Sequence, residues 1–197
     1  MSRKTRLVIG ISGASGAVLG IRILELLHAR DNVETHLVVT AAGQRTLAIE
    51  IGEHAIERAR ELAHVWHKCS DVAAPIASGS FRCDGMIVAP CSMRTLSALA
   101  HGLSDNLLTR AADVAMKERR RLVLLAREAP IHAGHIEAML NVTRLGAIVM
   151  PPVPAFYTRP RSVDDIVTQI AARAIELAGI DLGAAVARWG GAEQKDA

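Results

Sequence analysis

Short apolar runs alternate with helix-patterned segments along most of the chain, and this alternation constrains the fold more than any other sequence feature. Five runs have the length of buried strands, at residues 6–11, 35–39, 85–89, 122–126 and 147–150. Helices are predicted after the first two runs, ending near residues 29 and 52, and then at residues 53–62, 93–100, 106–118, 133–145 and 162–178. Ser104 and Ser162 are the predicted N-caps of two of these helices. Such alternation predicts an α/β fold, with a parallel sheet covered by helices on both faces.

The composition agrees with a single buried sheet. Half of the 197 residues are hydrophobic and only 3% are aromatic. An excess of Ala, Leu, Ile and Val suits a parallel sheet flanked by Ala-rich helices. Because no repeat or linker divides the chain, we expect one domain over residues 1–197, with a core at about 5–179 and a weakly patterned tail at about 180–197.

Charge, cysteine content and the length of the apolar runs indicate which partners and which cellular compartment to expect. The apolar runs are too short to span a bilayer, and residues 1–6 lack the apolar stretch of a secretory signal. Three cysteines without a CxxC pair indicate reduced thiols, which predicts a cytoplasmic protein. The net charge of +3 is mild, and the basic run at 117–121 has no interleaved aromatics, so we expect no nucleic-acid partner.

Unusual residues cluster where the predicted strands end. Ligands of open α/β sheets bind at the carboxyl ends of the strands. The segments at those ends are, in order, Gly10-Ile-Ser-Gly13-Ala-Ser15-Gly16, Thr40, Pro90-Cys-Ser92-Met-Arg94-Thr95, Arg127-Glu128 and a proline-rich loop that carries Tyr157. We therefore expect these segments to border one crevice.

The first of these turns resembles a phosphate-binding loop. Its glycines would let the backbone approach an anion, and the following helix start would supply N–H donors. The spacing is GxxGxxG, and Thr40 stands where NAD-binding folds carry an acidic residue. This pattern favours a mononucleotide such as FMN over NAD. A tight turn that only packs the helix on the strand is the alternative interpretation.

Other candidates also have two interpretations. The segment at 90–95 could hold a flavin edge or phosphate, or could be an ordinary N-capped helix, and Cys91 is interpreted as a packing residue. Arg110 and Lys117 share a helical face with an acidic residue, for which a solvated ion pair is the commoner explanation. Arg173 lies mid-helix, where a solvated side chain is expected. The eight histidines show no HxxxH or HExxH spacing, which predicts no metal site.

A set of motifs carries a specific family resemblance. They are Ile11-Ser-Gly-Ala-Ser-Gly16, Ser78-Gly-Ser-Phe81, Ala89-Pro-Cys-Ser-Met-Arg-Thr95, Asn106-Leu-Leu-Thr-Arg-Ala-Ala-Asp-Val114, Lys117-Glu-Arg-Arg120, Arg127-Glu128 and Pro154-Ala-Phe-Tyr157. Their order and content resemble the UbiX-type flavin prenyltransferases, formerly described as aromatic-acid decarboxylase subunits. The resemblance implies a flavodoxin-like (Rossmann-type) three-layer sandwich and a homo-oligomer, by family a dodecamer. It also implies transfer of a dimethylallyl group from dimethylallyl phosphate to reduced FMN, without a metal, with the product passed to a partner decarboxylase.

The resemblance also implies roles for individual residues. Ser15, Glu50 and Glu128 would be catalytic. The expected FMN contacts are Gly13, Ala14, Ser15, Thr40, Ser92, Met93, Arg94, Thr95 and Arg127. The prenyl phosphate would be held by Arg110, Lys117, Tyr157 and Arg173.

Three rival functions stay open at this point. An FMN-dependent cysteine decarboxylase would carry an early catalytic histidine and a Pro-x-Met-Asn segment, and the chain has no such segment. A non-catalytic flavin carrier would explain Ser15 and Ser92 but not the additional cations. Direct decarboxylation of an aromatic acid is the third rival, which the sequence does not exclude.

Overall fold

A computed structural model describes residues 3–183 of the chain. Six strands in this part form one parallel sheet: β1 (Thr5–Ile11), β2 (Val33–Val39), β3 (Val65–His67), β4 (Gly85–Cys91), β5 (Arg121–Ala126) and β6 (Ile148–Val149). Their spatial order is β3-β2-β1-β4-β5-β6, the doubly wound order of Rossmann folds. Without the short edge strand β3, the remaining five strands follow the flavodoxin order. Both orders reverse direction between β1 and β4, where ligands of such sheets bind.

Seven helices cover the two faces of this sheet within the described residues. They are α1 (Ala17–His28), α2 (Ala41–Glu50), α3 (Ala55–Leu62), α4 (Met93–Ala100), α5 (Leu107–Lys117), α6 (Ala133–Arg144) and α7 (Val163–Leu177). Alternate residues of β1 serve the two faces: Leu7 and Ile9 pack with α1, α2, α3 and α7, and Val8 packs with α4, α5 and α6. The resulting three layers have two apolar cores, so the predicted sandwich is confirmed.

The predicted elements agree with the structure except at two places. Strand β3 is missing from the sequence prediction, because it has only three residues and pairs along one side with β2. Ser104 is not the cap of α5: Asn106 has the extended backbone of an N-cap, and its side chain accepts the amide of Thr109 in a capping box. The predicted capping box at Ser162 is confirmed.

The far end of the described chain returns to the core. Ile180 and Leu182 are almost fully buried against the α1 and α7 side of the sheet, a few residues beyond the expected core limit near residue 179. Residues 184–197, which make up most of the expected tail, lie outside the described part. No described helix combines the length and the apolar character needed to cross a bilayer.

Candidate active site

A cavity of about 650 Å³ opens at the carboxyl ends of β1, β2 and β4, beside the point where the strand order reverses. Five of the predicted FMN contacts line it: Gly13, Thr40, Ser92, Arg94 and Thr95. The remaining lining residues, none of which was predicted to contact FMN, are Ala41, Ala42, Cys69, Ser70, Asp105 and Asn106. A location at a switch point, with small and hydroxyl side chains in the lining, is typical of a nucleotide site.

Three helices begin at this cavity, which gives it the electrostatic character of an anion site. The N-caps of α2, α4 and α5 are Thr40, Ser92 and Asn106, and all three line the cavity. Each cap side chain accepts a backbone amide of its own helix, at 3.0, 3.3 and 3.1 Å respectively. Helix N-termini carry positive partial charge, so their convergence favours a phosphate-bearing ligand.

A buried serine joins the two strands that flank the switch point. The Ser12 hydroxyl donates to the Pro90 carbonyl at 2.9 Å and accepts the Ser92 amide at 2.8 Å. Because Ser12 is 1% exposed, these bonds form away from water and hold the turn after β1 against the turn after β4. No role was predicted for Ser12 from the sequence, although this residue lies inside the glycine-rich turn.

Two glycines allow α2 to approach β1 closely. A Cβ at Gly43 would lie 2.5 Å from the Ile11 carbonyl oxygen, and one at Gly13 would lie 2.3 Å from the Cβ of Ala42. No larger residue fits either position without a shift of backbone. The close approach brings the start of α2 beside the glycine-rich turn, where both line the cavity.

The start of α1 is already occupied by a side chain of the protein. The Glu50 carboxylate accepts the Gly16 amide at 3.0 and 3.1 Å and the Ala17 amide at 2.8 Å. Glu50 therefore engages two of the amides that were expected to meet a phosphate, and a phosphate-binding role for this helix start stays a prediction. Glu50 does lie against the glycine-rich turn, and the starts of α2, α4 and α5 border the large cavity.

Ser15 and Arg127 line a smaller cavity of about 220 Å³. Its other walls are largely apolar and come from α1, α7 and the loop after β6, through Gly16, Val18, Leu19, Pro152, Val167 and Ile170. Ser15 and Arg127 are therefore placed beside an apolar space rather than in the lining of the large cavity. The adjoining Glu128 is exposed, and its carboxylate accepts the amide of Ala129 at 3.1 Å rather than pairing with the Arg127 guanidinium.

The remaining predicted FMN contacts differ in their exposure. Ala14 is half-buried in the glycine-rich turn, whereas the Met93 side chain is buried in the α4, α5 and α6 core. Arg94 forms an ion pair with Asp105 at the cavity, and this guanidinium lowers the pKa of the Asp105 carboxyl. Cys91 is fully buried in the α4, α5 and α6 core, as expected of a packing residue, and burial raises the pKa of its thiol to about 12.

The four predicted prenyl-phosphate residues do not converge within one chain. Arg110 and Lys117 lie on α5, where Arg110 donates to the Ala77 carbonyl at 3.1 Å and to Asp113 at 2.8 Å, and Lys117 pairs with Glu118. Arg173 lies on α7 and pairs with Glu176 at 3.1 Å. Tyr157, half-exposed, belongs to a 3₁₀ turn at Phe156–Thr158. The sheet separates α5 from α7, so Arg173 cannot reach the other two cations within its own chain.

Within residues 3–183, no group of three or more His, Cys, Asp or Glu side chains is arranged to hold a metal ion. Histidines instead form a buried network beside β2. His36 Nδ1 and His67 Nε2 are 2.9 Å apart, and His36 Nε2 lies 2.9 Å from a carboxylate oxygen of Glu34. Burial, followed by the nearby His36, lowers the pKa of His67.

Comparison with known proteins assigns the chain to a family. Residues 1–175 match the family model described as Flavoprotein. The flavin prenyltransferase UbiX of Neisseria meningitidis is 54% identical over 176 residues, covering 89% of this chain and 92% of that protein. The crystal structure of AnUbiX (PadA1) in complex with FMN and dimethylallyl pyrophosphate superposes with a TM-score of 0.91 at 48% identity, covering 96% and 99% of the two chains.

A second solved structure superposes equally well. The dodecameric FMN-dependent Ubix-like decarboxylase of Escherichia coli O157:H7 has a TM-score of 0.91 and 44% identity, covering 95% of this chain and all of that one. The matches extend over nearly the whole length of each partner. The chain therefore belongs to the UbiX family of flavin prenyltransferases.

Proposed function

We propose that this protein transfers a dimethylallyl group from dimethylallyl phosphate to reduced FMN, with release of inorganic phosphate. The observation that carries the proposal is the 650 Å³ cavity at the switch point, where three helix N-termini and the glycine-rich turn meet. A relative with the same fold, AnUbiX, is described in complex with FMN and dimethylallyl pyrophosphate. FMN and a prenyl phosphate are therefore the ligands proposed for this chain.

The large cavity has the features that FMN requires. The phosphate of FMN needs amide and hydroxyl donors, which the starts of α2 and α4 offer through Thr40, Ser92 and Thr95. The Gly13 and Ala14 turn and the Met93 backbone would contact the flavin, with Arg94 as a cation at the cavity wall. Reduced FMN, when bound, supplies the electron-rich nitrogen and carbon atoms that accept the allyl group.

The smaller cavity suits the other substrate. Its apolar walls match a dimethylallyl chain, and they exclude water from an allylic carbon that becomes cation-like as its bond to oxygen breaks. Arg127 lies at the same cavity and offsets the charge of the departing phosphate. Ser15 donates a hydrogen bond to that phosphate, and Glu128 holds or relays the proton that it shares.

We propose that the complete phosphate site forms between subunits of a homo-oligomer. Arg110 and Lys117 on α5 are separated from Arg173 on α7 by the sheet, so all three cations meet only if another protomer supplies some of them. A dodecamer is the proposed assembly, because a relative at 44% identity is described as dodecameric. Exposed apolar side chains on α6, Ile136 and Leu140, offer contact area for such an assembly.

Two further proposals concern the cellular setting. The product, prenylated FMN, would pass to a decarboxylase that uses it, since the modified flavin is a cofactor for chemistry beyond this site. We place the protein in the cytoplasm, where three cysteines that form no disulfide stay reduced.

The test is an anaerobic reaction followed by mass analysis of the flavin. Reduced FMN and dimethylallyl phosphate should give a flavin heavier by one dimethylallyl group, and turnover should survive EDTA because arginine and lysine side chains balance the phosphate charge. Ser15→Ala and Glu128→Gln should slow single-turnover transfer by roughly 10²–10⁴-fold at saturating FMN.

Glu57→Gln, at an exposed position on α3, is the matched control and should keep the wild-type rate. Near-wild-type rates in both Ser15→Ala and Glu128→Gln would remove their catalytic roles. An unmodified flavin in the wild-type reaction, with carbon dioxide released from an aromatic acid instead, would favour direct decarboxylation.

A further inference from the structure

A third cavity, of about 440 Å³, adjoins the proposed flavin cavity. It lies between α2, α3 and the edge strand β3, and it shares Ala41, Cys69 and Ser70 with the larger cavity. Its volume is within the usual range of small-molecule sites. The residues that it does not share are Gln44, Arg60, Trp66 and Lys68, and none of them has a role in the proposed prenyl transfer.

The charge of this cavity is positive and is not offset in its lining. Arg60 and Lys68 are both exposed cations, and no Asp or Glu lines the cavity. Arginine presents a planar fork of donors that matches a carboxylate or phosphate, and lysine adds a compact second charge. The pair therefore selects for an anionic head group, with Gln44 and Ser70 as additional polar contacts.

The Trp66 ring in the cavity wall favours a ligand that also has a flat apolar part. The Arg60 guanidinium carbon lies 4.5 Å from the centre of the Trp66 ring, so stacking holds this cation at the cavity wall. Trp66 belongs to edge strand β3, pairs in register with Leu37 and is only half-buried. A flat apolar group could pack on such an indole ring while its charged end reaches the two cations.

We propose that this cavity binds a small aromatic anion, that is, a flat ring carrying a carboxylate or a phosphate. The head group pairs with Arg60 and Lys68, and the ring packs against Trp66. Four of the residues that line this site do not line the flavin cavity. The two cavities share only Ala41, Cys69 and Ser70. The site does not depend on prenyl transfer, because none of its four own residues takes part in that reaction.

The test is calorimetric titration of the full-length protein with four probes, each with and without saturating FMN. Phenyl phosphate and benzoate combine a ring with an anion, whereas inorganic phosphate lacks the ring and benzyl alcohol lacks the charge. We expect at least one of the first two to bind with a submillimolar Kd, at least about ten-fold tighter than the last two. The comparison between phenyl phosphate and benzoate identifies the preferred head group.

Substitutions of the cavity residues test whether the aromatic anion binds in this cavity. Arg60→Gln and Lys68→Gln should each weaken the preferred aromatic anion by about ten-fold or more, the effect of losing a charge-assisted hydrogen bond. Trp66→Leu should weaken the aromatic anions more than inorganic phosphate, because phosphate loses only the stacking that holds Arg60 in place. The control is Arg45→Gln, an exposed cation of α2 outside the cavity lining, which should behave as wild type.

FMN affinity, measured in the same variants, separates this proposal from the proposed function. It should be unchanged throughout, and a wild-type protein that fails to bind FMN would count against the proposed function alone. The aromatic-anion site is refuted if neither ring-bearing anion binds, if inorganic phosphate binds equally well, or if the arginine and lysine variants have no effect. Displacement of the anion by FMN would also refute it, because the cavity would then be part of the flavin site.

Discussion

Replacement of Gly13 by alanine tests whether the close approach of α2 to the glycine-rich turn shapes the candidate site. The new Cβ would lie 2.3 Å from the Cβ of Ala42, and 3.2 and 3.3 Å from the Ala42 carbonyl carbon and Cα. Carbon atoms pack favourably at about 3.5–4.0 Å, so the two segments must separate by more than about 1 Å. Two of the three contacts are with backbone, which no side-chain rotation relieves.

The expected cost follows from this overlap. Overpacking of this kind destabilises by about 1–3 kcal/mol, which lowers the melting temperature of a chain of this size by roughly 2–12 °C. FMN affinity should fall by about ten-fold or more, because displacement of the α2 start breaks charge-assisted hydrogen bonds to the proposed phosphate position. Thermal unfolding of the FMN-free protein and calorimetric titration with FMN measure the two effects separately.

A second substitution supplies the decisive control. Ala42→Gly removes the atom at 2.3 Å, at a cost of about 0.5–1 kcal/mol for glycine in a helix. Gly13→Ala combined with Ala42→Gly should therefore be more stable than Gly13→Ala alone and should recover most of the FMN affinity. Wild-type stability and affinity in Gly13→Ala, or purely additive losses in the double variant, would show that the close approach does not shape the site.

Three further predictions concern groups around the site. Glu50→Ala removes the carboxylate that accepts the Gly16 and Ala17 amides, and should lower the free energy of unfolding by about 1–2 kcal/mol. Urea titration measures this loss, and an unchanged midpoint would show that the cap does not contribute to stability. Cys91, with its pKa raised to about 12, should resist alkylation at pH 8 in the native protein and react only after unfolding. The pKa of His67 is lowered in the folded state, so the unfolded chain binds more protons as the pH falls below about 6.5, and stability should decrease between pH 7.5 and 5.5. His67→Gln should make the urea midpoint less dependent on pH over this window, and an unaltered pH dependence would contradict the assignment.

Local patterns in the chain were sufficient for most of the fold. Strands β1, β4 and β5 are long apolar runs buried on both faces, and such runs are recognisable without any tertiary information. Strand β3 was not recognisable, because three residues with a tryptophan and a histidine carry no periodic signal and depend on pairing with β2. The cap of α5 was misplaced by two residues, since both Ser104 and Asn106 are suitable cap residues and only backbone geometry selects one.

The candidate site, like the fold, could be predicted from the sequence only in part. The glycine-rich turn and the segment after β4 were predictable, because parallel strands bring their carboxyl ends to one edge of the sheet whatever the details of packing. Tertiary structure alone decided that Glu50 caps α1 from 34 residues further along the chain. It also decided that Arg110 and Arg173 lie on opposite faces of the sheet. Sequence spacing specifies the position of a side chain along its own helix, but the layer to which that helix belongs depends on how the whole chain winds around the sheet.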